Sequence, residues 1–319
     1  MILVVLILSL VTASAGAIAK SNLAKQYPAP GQLVDVGGYK LHINCVGEGS
    51  PTVILEAGLG DFSLLWAYVQ LEVARFTCVC SCDRAGYGWS EPSPYPRTAT
   101  TMVEELHTLM VNANVQGPYV LVGHSLGGVL MHGYAHNYPD EVVGIVLVDS
   151  AHEEQFIRYP ESVLKVSQDL AGQIRMLALL NSTGVLALAP QNIPNRGLPD
   201  DVLAQYRAIL ATTRYFETHL AELNALEGSY AEVLATHMTS FENSPLIVLS
   251  RGHWDATPLL SNAENQQLWV VWQQVQSELA ALSSDAKQII AEQSGHHIQL
   301  DQPDLVIDAI REIVEAIRK

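Results

Sequence analysis

A glycine-rich turn between a buried strand and a helix limits the fold of this chain more than any other feature. Residues 119–122 read Tyr-Val-Leu-Val, which is typical of a strand covered on both faces. The sequence Gly-His-Ser-Leu-Gly-Gly follows at residues 123–128, and a helical pattern then continues to about Asn137. Glycines at such places let a strand and a helix approach closely around a tight turn. We therefore expect a strand–turn–helix unit with Ser125 at its tip.

The rest of the chain also alternates between strand and helix patterns. Short apolar runs predict further strands at residues 52–56, 76–83, 142–148, 246–249 and 287–292. Helical patterns lie at residues 64–74, 98–113 and 303–318. Residues 32–46 instead predict an antiparallel hairpin around Gly37-Gly38. Apolar strands that alternate with helices predict a mostly parallel sheet with helices on both faces.

One long interval interrupts this alternation. Nearly a hundred residues between the runs at 142–148 and 246–249 contain no convincing buried strand. Their pattern predicts helical pieces at residues 161–180, 199–211, 213–227 and 230–238. We therefore expect a helical segment at residues 152–244, inserted between core segments at residues 28–151 and 245–319.

Composition excludes several classes of protein. The chain has 319 residues, of which 49% are hydrophobic and 16% charged, so it is not a disordered or coiled-coil protein. Its formal net charge is −16 and it has no basic stripe, which excludes nucleic acid as an expected partner. No Cys or His cluster has the spacing of a zinc site, so no metal is expected.

The first nineteen residues, MILVVLILSLVTASAGAIA, contain no charged side chain. Ala-Ser-Ala at 13–15 and Ala-Ile-Ala at 17–19 are similar to the small-residue sites at which signal peptides are cut. Nineteen uncharged residues are also just long enough to span a bilayer. Three interpretations stay open for residues 1–19: a cleaved signal peptide, a retained membrane anchor, or a buried helix. The first two predict an exported or membrane-anchored protein, on either side of the membrane.

The Gly-x-Ser-x-Gly turn carries the chemistry of the chain. Between a strand and a helix, this turn is the nucleophile elbow, which exposes the Ser125 hydroxyl above the sheet. The unpaired N–H groups at the start of the helix can stabilise a developing oxyanion. A serine hydroxyl is a weak nucleophile near neutral pH, so an imidazole must accept its proton.

Five motifs together resemble those of the α/β-hydrolase superfamily, specifically its lid-bearing serine hydrolases of the esterase, lipase and carbon–carbon hydrolase group. They are EAGLGD at 56–61, DRAGYGWS at 83–90, GHSLGG at 123–128, GHWDATP at 252–258 and SGHHIQLDQP at 294–303. The resemblance covers about residues 28–317 and implies the α/β-hydrolase fold. It implies an eight-stranded, mostly parallel sheet with helices on both faces and a helical lid after strand six.

The resemblance also implies the base and the oxyanion donors. The base should be His296, directly after the glycine of the last motif, and the neighbouring His297 should point elsewhere. The oxyanion should be held by the backbone amides of Leu126 and Leu59. Ala57 stands where the family often has a histidine, so support for that loop must come from elsewhere. DRAGYGWS is interpreted as a structural turn.

Two carboxylates compete for the role of the triad acid. Asp255 follows the strand at 246–249 in a G-x-x-D sequence, which is the family's usual place for the acid. Asp149 follows the strand at 142–148, where a minority of the superfamily carries it. The motif match favours Asp255 and leaves Asp149 as the alternative.

The expected function is therefore hydrolysis of a carboxylic ester through Ser125, His296 and an aspartate, without metal or organic cofactor. Amidase, carbon–carbon hydrolase and acyltransferase chemistry use the same groups and stay open. The substrate is expected to be a small molecule with an apolar portion. A binding protein of the same fold without catalysis is a further alternative. In this fold, strands two and four are antiparallel neighbours, which makes a Cys45–Cys80 disulfide possible; four free thiols are the alternative.

Overall fold

One sheet of eight strands forms the centre of the protein in a computed structural model that describes residues 2–237 and 240–319. The strands are β1 Gln32–Asp35, β2 Lys40–Val46, β3 Thr52–Glu56, β4 Val79–Asp83, β5 Tyr119–His124, β6 Val142–Val148, β7 Leu246–Arg251 and β8 Ala286–Ala291. Their order in the sheet is β1-β2-β4-β3-β5-β6-β7-β8. β2 pairs antiparallel with both of its neighbours, whereas the pairs from β4 to β8 are parallel.

This topology brings the ends of the central strands together. β5 lies between β3 and β6, and β6 lies beside β7. Because these four strands are parallel, the residues that follow them lie at one edge of the sheet. That edge receives the loop at 57–60, Ser125, Asp149 and the loop after Arg251.

Helices cover the sheet and fill the interval between β6 and β7. In chain order they are α1 Ile2–Gln26, α2 Ala67–Val73, α3 Ala99–Asn112, α4 Leu126–Asn137, α5 Gln155–Arg158, α6 Glu161–Ser182, α7 Val185–Leu188, α8 Asp200–Leu210, α9 Thr213–Leu234, α10 Asn262–Ala280, α11 Ile298–Asp301 and α12 Pro303–Ile317. Five of these helices, α5 to α9, lie between β6 and β7. We call residues 152–244 the helical segment.

Two apolar layers bury the faces of the sheet. Alternating side chains of β5 divide between them, with Leu121 in one layer and Val120 and Val122 in the other. The first layer contains apolar side chains of α3 and α4, and the second contains those of α2 and α12. Two covered faces explain why the strands read as continuous apolar runs. The predicted α/β-hydrolase fold, with eight mostly parallel strands and helices on both sides, is confirmed.

Some helices differ from the sequence expectations. α10 was not predicted, although Ser261 and Glu264 form a capping box at its start. The predicted pieces at 213–227 and 230–238 are one helix, α9, that continues to Leu234. The last residue of the second piece, Met238, lies outside the described residues.

The N-terminal helix α1 packs on the helical segment. Gly16 contacts Gly184 so closely that a Cβ atom on Gly16 would lie 2.6 Å from the Gly184 Cα. The Lys20 ammonium donates a hydrogen bond to the Asn181 carbonyl at 2.6 Å. No helix in the described part of the chain combines the length and the apolar character needed to cross a bilayer. Met1, the first residue of the predicted segment 1–19, lies outside the described residues.

A disulfide joins β2 to β4. Cys45 and Cys80 are directly opposed in the antiparallel register, and their sulfur atoms are bonded. Cys78 and Cys82 are free thiols on β4 and its approach. The structure therefore contains the predicted pairing rather than four thiols.

Candidate active site

Ser125 occupies a backbone conformation that few residues other than glycine adopt. Its φ is 54° and its ψ is −121°, between the end of β5 and the start of α4. The turn closes because Gly123 lies against Gly127 and Gly128, where a Cβ atom would come within 2.6 Å of backbone atoms. The Ser125 carbonyl accepts the N–H groups of Gly128 and Ala151, both at 3.0 Å. These contacts give the tight strand–turn–helix geometry that the predicted nucleophile elbow requires.

The loop after β3 runs beside this serine. A Cβ atom on Gly58 would lie 2.9 Å from the His124 Nδ1 and 3.1 Å from the Ser125 Cβ, so a side chain there would crowd both residues. Leu59, the next residue, is half-buried, and Leu126 is buried at the first position of α4. The residues of the two predicted oxyanion amides therefore lie near Ser125, Leu126 directly after it and Leu59 directly after Gly58.

Arg84, from the DRAGYGWS motif, holds that loop in place. Its guanidinium donates to the carbonyls of Ala57 at 2.7 Å and Gly58 at 2.8 Å. It also donates to the Glu56 carboxylate at 2.7 Å and to both carboxylate oxygens of Glu222 on α9. The Arg84 side chain is 5% exposed, so its charge depends on these two carboxylates. This network supplies the support that the Ala57 position lacks.

Asp83 organises the same motif from inside. Its carboxylate accepts the backbone N–H groups of Ser63 at 2.9 Å and Trp89 at 3.0 Å. The His42 ring contacts it at 2.7 Å through Nδ1. These bonds agree with the structural interpretation of the motif.

A buried carboxylate, Asp149, contacts the imidazole of His296. The distance from the His296 Nδ1 to the Asp149 Oδ2 is 2.6 Å. The Asp149 side chain is fully buried, whereas the His296 side chain is 27% exposed. The other carboxylate oxygen, Oδ1, accepts the Trp272 Nε1–H at 2.9 Å and the Arg251 main-chain N–H at 3.0 Å.

Arg251 is a third member of this group that sequence reasoning missed. Its Nε donates to the Asp149 Oδ2 at 2.6 Å, and its Nη2 lies 2.6 Å from the His296 Nδ1. The guanidinium stacks over the rings of Trp272 and Trp254, at 4.5 and 4.9 Å from their centroids. Nothing in the spacing marks this arginine, because it meets Asp149 only through the adjacency of β6 and β7.

The pKa values of the pair reflect these contacts. Burial by itself would raise the pKa of the Asp149 carboxyl, but the Arg251 guanidinium and the His296 hydrogen bond outweigh burial and lower it. Burial, followed by the charge of Arg251, lowers the pKa of His296, although Asp149 opposes the shift. The lowered pKa favours the neutral form of the His296 imidazole near neutral pH.

Asp255, which the motif match favours as the triad acid, does not contact the His296 ring. Its Oδ2 accepts the main-chain N–H of His296 at 3.1 Å rather than contacting the ring. The side chain is 57% exposed, and its Oδ1 lies 3.8 Å from the His253 Nδ1. It therefore holds the backbone of the loop that carries His296.

A second group of the same composition lies next to the first. The Asp61 carboxylate accepts from Arg196 Nη1 at 2.6 Å and lies 3.3 Å from the His297 Nε2. Arg196 also contacts the His297 Nε2 at 2.7 Å. His124, buried between the groups, donates through Nε2 to the His296 carbonyl at 2.9 Å, and burial holds its pKa well below the usual range.

Other histidine and tryptophan side chains near the motifs have structural surroundings. His152 is buried and accepts a backbone N–H through Nδ1, and burial lowers its pKa. Trp66 is fully buried in the core, whereas Trp89 donates to a backbone carbonyl near the N-terminal helix. Among the described residues, no group of three or more His, Cys, Asp or Glu side chains is arranged to hold a metal ion.

Known proteins resemble the chain over most of its length. It is 26% identical over 293 residues to an AB hydrolase superfamily protein of Gibberella zeae, covering 84% of this chain and 87% of that protein. It is 27% identical over 304 residues to the probable transporter efuK of Hormonema carpetanum, covering 89% of this chain but only 42% of that one.

Solved structures share the fold at lower identity. A thermophilic esterase from Thermogutta terrifontis matches with a TM-score of 0.62 and 20% identity, over 90% of this chain and 99% of that one. The epoxide hydrolase CorEH matches with a TM-score of 0.66 and 18% identity, over 90% and 98% of the two chains. A family model described as the alpha/beta hydrolase family matches residues 53–309. The chain belongs to that family.

Proposed function

We propose that this hydrolase-family protein is a serine hydrolase that cleaves carboxylic esters. The observation that carries the proposal is the 2.6 Å contact between the His296 Nδ1 and the buried Asp149, at the sheet edge where Ser125 forms the elbow. A serine at the elbow distinguishes the chain from relatives whose nucleophile is a carboxylate. Those relatives include epoxide hydrolases and haloalkane dehalogenases.

In the proposed mechanism, Asp149 accepts the Nδ1–H of His296, which leaves the Nε2 lone pair free to take the proton of Ser125. The Ser125 Oγ attacks the acyl carbonyl, and the amides of Leu59 and Leu126 hold the oxyanion. His296 then protonates the leaving alcohol, which leaves an acyl-serine. A water molecule, deprotonated by the same imidazole, releases the acid and restores the enzyme. No metal or organic cofactor is needed for these steps.

Asp149, rather than Asp255, is the proposed acid. Three observations support it: its contact with the ring nitrogen, its complete burial and its lowered pKa. A buried carboxylate interacts more strongly with an imidazolium than an exposed one, because less water screens the pair. Asp255 is proposed to act on the backbone of the histidine loop.

The helical segment is proposed to act as a lid over the site. Three of its side chains bind the loop that carries the proposed oxyanion amide or residues that adjoin or hold that loop. Glu222 binds Arg84, Tyr215 donates its hydroxyl to the Gly60 carbonyl at 2.8 Å, and Arg196 binds Asp61. The segment's apolar helices favour a substrate with an apolar acyl or alcohol portion. Amide, carbon–carbon and acyl-transfer chemistry remain alternatives with the same groups.

One contact favours a second candidate, a non-catalytic binding protein of the same fold. If Arg251 Nη2 donates to the His296 Nδ1, the ring proton resides on Nε2, and the imidazole cannot accept the proton of Ser125. Such a protein would keep the triad residues without turnover.

A fluorophosphonate probe separates the two candidates. The folded chain should form a stable adduct at Ser125, identified by peptide mass spectrometry. Ser125→Ala should abolish labelling, while Ser277→Ala, on the exposed face of α10, should label normally. A panel of p-nitrophenyl esters of increasing acyl length should be hydrolysed, and Ser125→Ala should lower turnover on the order of 10⁶-fold. A folded chain that neither labels nor turns over would favour the binding protein.

A further inference from the structure

An uncharged surface lies on the helical segment of this otherwise acidic protein. Residues 176–195 contain no charged side chain, although the whole chain carries a net charge of −16. They form the end of α6, all of α7 and the turn that follows. Six large apolar side chains in this stretch are between 37% and 70% exposed: Met176, Leu177, Leu179, Leu180, Val185 and Leu188. We call these six residues the apolar patch.

Such a patch is unusual on a surface, because monomeric proteins rarely expose neighbouring apolar side chains in one cluster. Leu179 is 70% exposed, whereas the buried face of α6 supplies Ile174 to the core of the helical segment. The α6 part of the patch is therefore the outer face of a helix whose inner face is already packed.

The N-terminal helix extends this surface. Gly16 of α1 touches Gly184, which immediately precedes α7, so α1 crosses at the edge of the apolar patch. Ile18, on the same helix, is 63% exposed. No charged residue occurs in residues 1–19 of the sequence, and the first cation, Lys20, binds the Asn181 carbonyl beside the patch. The apolar patch and the part of α1 around Gly16 thus lie side by side, with Lys20 at their border.

We propose that the apolar patch docks on the surface of a lipid bilayer, beside α1. A bilayer interface matches a broad apolar face that carries few hydrogen-bonding groups. The lipid should be zwitterionic, because the patch contains no cation to attract anionic headgroups and the rest of the protein is acidic. If the apolar patch instead bound a second copy of the chain, the uncharged stretch of α1 would have no role in binding.

The segment that carries the apolar patch leads along the chain to the candidate active site. The uncharged stretch ends just before Arg196, whose guanidinium binds Asp61 and contacts His297, the neighbour of His296. Docking itself does not depend on the proposed esterase activity, since it is a property of the outer face of the segment.

The test is binding of the full chain to phosphatidylcholine vesicles, measured by flotation. Leu179→Glu and Val185→Glu should each lower the partition coefficient by at least about tenfold, because a charge replaces an apolar side chain at the interface. Leu71→Glu is the matched control, since Leu71 is 67% exposed on α2, outside the patch. Its partition should equal that of the wild type.

Two further measurements distinguish docking by the apolar patch from binding through α1 alone and from self-association. In vesicles of brominated lipid, the added fluorescence of Leu179→Trp should be quenched, and that of Leu71→Trp should not. Replacing a third of the lipid by phosphatidylserine should weaken binding. Equal partition of all the glutamate variants would overturn the proposal and assign binding to α1 alone. Patch variants that alter only the oligomeric state in solution would overturn it in favour of self-association.

Discussion

Two neighbouring groups of the same composition, one aspartate, one histidine and one arginine each, have different surroundings. In the first, Asp149 and Arg251 come from adjacent core strands and are 0% and 6% exposed. In the second, Asp61 is 3% exposed, but its arginine, Arg196, comes from the helical segment and is 35% exposed. The two histidines, 296 and 297, are consecutive. Residue types alone do not distinguish these groups; their positions relative to the elbow and their burial do.

Replacing the two histidines in turn should give the largest difference. His296→Ala should lower kcat on the order of 10⁶-fold, because the proposed base acts as a unit with Ser125. His297→Ala should lower kcat less than about tenfold, since its partners are Asp61 and Arg196. Steady-state kinetics on a p-nitrophenyl ester, with melting temperatures matched, measures both. An equal loss in the two variants would contradict the separation of the groups.

The aspartates provide the next comparison. Asp149→Asn should lower kcat by about 10²–10⁴, because the amide cannot hold the imidazole in the required tautomer. Asp255→Asn should lower kcat less than about tenfold, since that side chain bonds the backbone of the loop. Asp61→Asn is the control in the second group, with the same small expected effect on kcat. A larger loss in Asp255→Asn would return the role of the acid to Asp255.

Arg251 should alter the pH dependence of the reaction. The base must be neutral, so kcat/KM falls as the pH drops through the pKa of His296. Burial and the charge of Arg251 lower that pKa, so the acidic limb of the profile should lie below the ordinary value of 6.5. Arg251→Gln removes the charge, raises the pKa of His296 and should move the limb to higher pH.

Arg251→Lys is the matched control for this shift, because it keeps a positive charge beside the imidazole. Its acidic limb should stay near that of the wild type, even if the lysine lowers kcat through poorer positioning of Asp149. An unchanged limb in Arg251→Gln would show that burial alone sets the pKa of His296.

The smallest effect is expected in the second group. Arg196→Gln should destabilise the protein by about 1 kcal/mol, because Asp61 loses its cation while solvent already screens the exposed guanidinium. Arg75→Gln is the control, since Arg75 is 75% exposed and pairs with Glu72, a partly exposed residue near the end of α2. Chemical denaturation should detect a lower free energy of unfolding in Arg196→Gln and no measurable change in Arg75→Gln. If Arg196→Gln lost several kcal/mol of unfolding free energy, the Asp61 group would contribute to stability as a buried group does, and the contrast with the Asp149 group would fail.

Much of the core could be predicted from local patterns. The six apolar runs and the hairpin of the sequence all correspond to strands, with ends that differ by up to three residues. α10 escaped prediction because residues 268–272 are a continuous apolar run flanked by glutamines, and such a run shows little helical period. Its capping sequence at Ser261 and Glu264 was the signal that could have revealed it.

The sequence by itself determined that the chain has an elbow at Ser125 and a sheet of alternating strands and helices. The reason is that both depend on neighbours in the chain: the glycines of one turn, and periods of two or of about 3.6 residues. Those signals also carry the likeness to the alpha/beta hydrolase family that the family match bears out.

Only the tertiary structure decided which carboxylate meets the His296 ring. Asp149 and Asp255 follow adjacent parallel strands, so both reach the same edge of the sheet, and no local pattern says where either side chain points. The register of β6 and β7 brings Arg251 to the Asp149 carboxylate, and the packing of α10 brings Trp272 there. The second group and the apolar patch likewise arise from packing between distant segments. Local sequence patterns do not predict the geometry of such packing.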